Sequence, residues 1–72
     1  MSPHVQISAR GEARLRRGHP WIYRSDVVAA DARGGDVVRV VGPHQRPLGR
    51  ALFSDQSQIV LRLVSRDDVE VD

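Results

Sequence analysis

The chain contains no cysteine, which excludes disulfide staples, thiolate metal sites and cysteine nucleophiles. Lysine is missing as well, so all eleven residues in the Lys+Arg count are arginine. Aromatic residues are scarce, with one Trp, one Tyr and one Phe. Trp21, the single tryptophan, is therefore expected to anchor the core. No apolar run approaches the ~20 residues of a membrane span, and the first residues lack the basic-then-apolar pattern of a secretory signal. The expectation is a soluble, cytoplasmic protein with no membrane partner. Neither G-x-G-x-x-G nor G-x-x-x-x-G-K-[ST] occurs, so no nucleotide-binding loop can be read. His4, His19 and His44 lack the helical spacing and the cysteine partners of a zinc site. Ser54-Asp55 and Asp67-Asp68 read as solvated turns. With no nucleophile–base constellation in view, these residues are expected to carry no enzyme activity, no metal and no cofactor.

What is present is a short, balanced composition. Seventy-two residues, 40% hydrophobic and 28% charged with a net charge of +2, fit one small globular domain spanning 1–72. A domain of this size buries only ~60% of its unfolded surface, so its core is thin.

Local patterning suggests several short strands and one helix. Val5 and Ile7 alternate with polar residues, as in a strand. Gly11 to Arg17 is rich in helix formers and is closed by Gly18 and Pro20. Glu12 precedes Arg16 by four residues, the favourable order for a helical ion pair. Trp21-Ile22-Tyr23 reads as extended, whereas residues 24–33 carry both strand and helix signals. Gly34-Gly35-Asp36 is a turn that opens the strand Val37–Val41. A Pro-containing loop from Gly42 to Pro47 leads to a return strand, Leu48–Phe53. After another turn comes Gln58–Val64, in which Ile59, Leu61 and Leu63 fall on one face. These three residues and Trp21 are the expected core. Val69 and Val71 suggest a last edge strand. So many short strands in so few residues point to a β-rich α+β fold, a small barrel whose closure removes exposed edges.

The basic residues are not evenly spread. Arg10, Arg14 and Arg17 share one stripe of a helix that begins near Arg10. His19, Tyr23 and Arg24 follow at once, so cationic and stacking-capable side chains gather within fifteen residues. Such a patch suits phosphate contacts and stacking on unpaired bases. It is also what a solvated helix face looks like, and composition does not separate the two.

The stretch Gly18-His19-Pro20-Trp21-Ile22-Tyr23-Arg24-Ser25-Asp26-Val27 resembles a family signature. It is similar to the N-terminal PUA-like domain of bacterial S-adenosylmethionine-dependent 23S rRNA (cytosine-5) methyltransferases. Leu48-Gly49-Arg50-Ala51-Leu52-Phe53-Ser54 and Ser57-Gln58-Ile59-Val60-Leu61-Arg62 match the family's later strands in order. Phe53 and Asp55 stand where the family pattern has Tyr and Pro. The resemblance implies a PUA-like pseudo-barrel of about five or six short strands with one or two short helices. It also implies RNA binding, of 23S ribosomal RNA, through Arg10, Arg14, Arg17, His19, Tyr23 and Arg24. The S-adenosylmethionine site would lie in a methyltransferase domain beyond these residues, with which this domain would also partner. The rival expectation is a docking module whose arginine-rich face packs on another protein or domain.

Overall fold

The computed structural model describes residues 3–65. The expected strand at Val69 and Val71, and the Asp67-Asp68 pair, lie outside them. In chain order the described elements begin with β1 (His4–Ile7), α1 (Ala9–Arg16) and β2 (Trp21–Tyr23). A 3-10 turn (Arg24–Asp26) leads to β3 (Val27–Asp31) and β4 (Val37–Val41). A second 3-10 turn (Pro43–Gln45) precedes β5 (Pro47–Phe53) and β6 (Ile59–Ser65). The ambiguous stretch after Tyr23 thus resolves into a turn followed by a strand.

The six described strands form one sheet in the order β2-β6-β5-β4-β1-β3. β1 runs parallel to β4, and every other neighbouring pair is antiparallel. The two outermost strands, β2 and β3, are consecutive in the chain and joined by a single 3-10 turn. In a flat sheet they would stand about 24 Å apart, five inter-strand spacings. The link from Tyr23 to Val27 reaches about 14 Å at full extension. The sheet must therefore curl, which is the β-rich, barrel-like architecture expected from the sequence.

Helix α1 is fixed at both ends. The Ser8 hydroxyl accepts the Gly11 N–H at 3.1 Å, capping the first turn. At the other end Gly18 adopts φ +96°, a left-handed conformation that costs glycine little. There the Gly18 N–H reaches the Leu15 carbonyl and the His19 N–H reaches the Arg14 carbonyl, both at 3.1 Å. This pair of bonds terminates the helix and turns the chain into β2. Glycine within a helix is costly, and Gly11, in the first turn of α1, has a packing reason. A Cβ there would lie 3.2 Å from the Asp26 Cβ and 3.3 Å from the Ile7 Cβ and Cδ1, and the two Cβ atoms, bonded to the backbone, cannot swing aside. Gly11→Val should therefore destabilise the domain by about 1–3 kcal/mol. A urea-unfolding midpoint equal to wild type would contradict this close approach.

The core comprises Val5, Ile7, Leu15, Ile22, Val38, Val40, Ala51, Phe53, Val60 and Leu61. Phe53, lacking a hydroxyl, is buried here, so no phenolic oxygen needs a partner. Two core expectations are corrected. Trp21 is not buried but 47% exposed, and Ile22, at 1%, takes the inward position on β2. Alternation then sends both Trp21 and Tyr23 to the outer face. On β6 the expected stripe is broken: Leu61 is buried and Leu63 packs partly against the core, but Val60 is buried while Ile59 is not fully so. The cause is an irregular register. Ile22 pairs with Leu61 and Tyr23 with Ile59, leaving Val60 as the extra residue of a bulge. A bulge lets two successive side chains face the same side.

Candidate nucleic-acid interface

Because α1 begins at Ala9, Arg10, Arg14 and Arg17 do fall on one side of it. Together with Ala13 and His19 they line a shallow groove whose described lining contains no carboxylate. His19 arrives there through the Gly18 turn, its backbone tied to the Arg14 carbonyl. The side chains of Arg10 and Arg17 have no hydrogen bond or ion pair among the described residues. Arg14 is held differently. Its Nε lies 3.5 Å from the Asp26 carboxylate, and its guanidinium carbon sits 5.7 Å from the centre of the Tyr23 ring. A cation–π contact of this kind is worth about 0.5–1 kcal/mol at a partly exposed site.

Asp26 was not among the candidates read from the sequence, yet it organises this corner. It is buried, 5% exposed, and a buried carboxylate must find partners. Besides Arg14 it accepts from the Ser8 hydroxyl at 3.4 Å, and its backbone carbonyl accepts the Ser8 N–H at 2.8 Å. The start of α1, the middle of α1 and the turn after β2 are thus joined through one residue. The only trace of this in the sequence was the position of Asp26 within the signature stretch.

Arg24 is not brought into the groove. Its Nη2 donates to the carbonyls of Asp55 and Ser57, each at 3.1 Å, and so clips the turn after β2 to the β5–β6 connection. Arg16 lies on the opposite side of α1, where Nε and Nη2 both lie 2.9 Å from the Glu12 carboxylate. Arg46 is 3.8 Å from the same carboxylate oxygen. The two sides of the helix therefore differ: Arg16 is paired with Glu12 on one, while on the other Arg14 is held by Asp26 and Arg10 and Arg17 have no side-chain partner among the described residues.

The described residues offer no cradle for S-adenosylmethionine. β1 and β4 are the parallel pair among the described strands, and the step from β1 into α1 is the Ser8 cap, already filled by Asp26 and Gly11. Such cofactors bind beyond the carboxyl ends of parallel strands on a glycine-rich turn. No three metal-ligating side chains cluster among the described residues. No described helix is long and apolar enough to cross a membrane.

Comparison with known proteins matches this picture. A profile of the PUA-like domain matches residues 5–66. The chain is 36% identical over 72 residues to ribosomal RNA large subunit methyltransferase I of Shewanella amazonensis, covering 97% of this chain and 18% of the relative. It is 37% identical over 65 residues to the protein of that name from Alteromonas mediterranea, covering 88% of this chain and 16% of that one. Among solved structures it superposes on a candidate SAM-dependent methyltransferase from Streptococcus mutans. There the TM-score is 0.74 at 23% identity, over 96% of this chain and 18% of the other; this likeness speaks to fold alone. The chain spans less than a fifth of the length of these relatives. It corresponds to their PUA-like part, and the S-adenosylmethionine-binding catalytic domain is not within these 72 residues.

Proposed function

We propose, from the premise that the chain belongs to the PUA-like domain family, that its arginine groove binds the phosphate backbone of RNA. The observation that carries this reading is the convergence of Arg10, Arg14, Arg17 and His19 on one groove without a carboxylate in its described lining. Guanidinium groups suit phosphates because they are always charged and donate in a planar fork. Backbone contacts of this kind supply affinity and orientation rather than sequence choice. The relatives' names point to large-subunit ribosomal RNA as the target. In that reading residues 1–72 act as one recognition domain, in the cytoplasm, for a methyltransferase domain of the same protein. That domain would supply S-adenosylmethionine and the chemistry, methyl transfer to C5 of a 23S cytosine. Arg24 serves this interface indirectly, by holding the turn that carries Asp26.

The rival docking reading makes a different forecast. A fluorescently labelled large-subunit rRNA fragment should bind the chain and be displaced by unlabelled rRNA. Polyglutamate at equal charge should leave it bound. Displacement by polyglutamate as efficient as by RNA would assign the arginine face to an acidic protein partner instead.

A further inference from the structure

We propose that strand β2 is a stacking platform for unpaired RNA bases, with Trp21 as its principal contact. This rests on the RNA reading above and names the class of RNA that the domain takes. Trp21 is 47% exposed and Tyr23 38%, while Ile22 between them is buried. Leaving two large rings outside a thin core gives up much of the stabilisation their burial would bring. They stand on the same face, two residues apart, about 7 Å along the strand. That is about twice the 3.4 Å rise between stacked bases.

The surroundings select the occupant. β2 is an edge strand whose strand partner among the described residues is β6, and its other side meets α1, which packs against it. On that side Arg14 sits over the Tyr23 ring. On the other, exposed Arg62 stands directly across from Trp21 in the strand register. Beyond it Leu52 and Val37 continue the row, each exposed on the outer face. The arginine groove, Arg14, Tyr23, Trp21 and Arg62 therefore form one path in which cations and aromatic faces adjoin. A polyanion that also offers flat π faces fits such a path, and single-stranded RNA is one. A duplex does not, because its base faces are stacked on one another. Trp21 is then a binding residue, not the packing anchor the sequence suggested.

The chain has a single tryptophan, so its emission reports on this site alone. The experiment titrates the 72-residue chain with a labelled ten-nucleotide single strand, a fully paired RNA of the same length, and heparin, a polyanion without bases. Tryptophan emission and anisotropy are followed together. The single strand should quench the emission strongly, and heparin should bind without quenching. Trp21→Ala should bind the single strand about tenfold more weakly and heparin as wild type does, with an unchanged melt; Trp21→Phe should keep most of the affinity. A single strand that binds without quenching, and binds Trp21→Ala equally well, overturns the platform while leaving the phosphate groove standing. Failure of every RNA and of heparin to bind removes the RNA reading and the platform with it. Concentration-dependent self-association that Trp21→Ala abolishes would assign the face to a second copy and overturn the proposal.

Discussion

Leu61→Ala is expected to leave most molecules unfolded at 25 °C, whereas Trp21→Ala should melt close to wild type. Leu61 is 1% exposed and lies between Ile22 of β2 and Phe53 of β5 in the strand register. Truncating a leucine so enclosed costs about 2–5 kcal/mol, the lost transfer energy plus that of the cavity left behind. A domain of this size has about 3–5 kcal/mol in total, so the loss is comparable to the whole. Trp21, on the outer face of an edge strand, leaves no sealed cavity when truncated. Circular dichroism across a thermal ramp decides the matter. A lost transition in Trp21→Ala with a retained one in Leu61→Ala would invert the assignment of inward and outward faces on β2 and β6.

The second large effect concerns affinity. Arg10→Gln combined with Arg17→Gln should weaken binding of a ribosomal RNA fragment about 30-fold at low salt. This takes about 1 kcal/mol for each exposed arginine–phosphate contact. Both side chains lack a partner among the described residues, so removing them should leave the melt unchanged. Arg16→Gln is the matched control. It removes the same charge from the same helix, but that charge is already offset by Glu12 and lies outside the groove, so its affinity should stay within about twofold of wild type. Arg24→Gln should instead lower the melting temperature, since it loses bonds to the Asp55 and Ser57 carbonyls. Equal affinity losses for Arg16→Gln and for either groove arginine would mean that the RNA senses net charge and not the groove.

Much of the fold was legible because its signals are local. The helix closed by Gly18, the Gly34-Gly35 turn and the valine-rich β4 follow from helix-former, turn and alternation rules, although the helix starts at Ala9, two residues before the Gly11 at which its formers begin. So was the gathering of Arg10, Arg14, Arg17 and His19, which needs only helical spacing and one left-handed glycine. What was not legible depends on pairing between distant segments. The bulge that buries Val60 arises where β6 meets β2, and nothing in Gln58–Val64 announces it. The exposure of Trp21 follows from the same pairing, since only one of two alternating faces can meet the core and Ile22 takes it. The roles of Arg24 and Asp26 were hidden for the same reason. Their partners lie up to 33 residues away in the chain, and a charged residue looks the same in sequence whether it meets solvent, a carbonyl or a buried carboxylate.

The most direct test of the central claim, that the α1 groove neutralises RNA phosphates, is the salt dependence of binding. Each phosphate contact releases condensed counterions and contributes about 0.7 to the slope of log affinity against log salt on single strands. The wild-type chain should therefore show a slope of about −2 or steeper for a single-stranded ribosomal RNA segment. Arg10→Gln with Arg17→Gln should make it shallower by about 1.4, and Arg16→Gln should leave it as it is. A slope near zero for wild type, or the same slope for all three proteins, would contradict the groove as the site where this domain meets RNA.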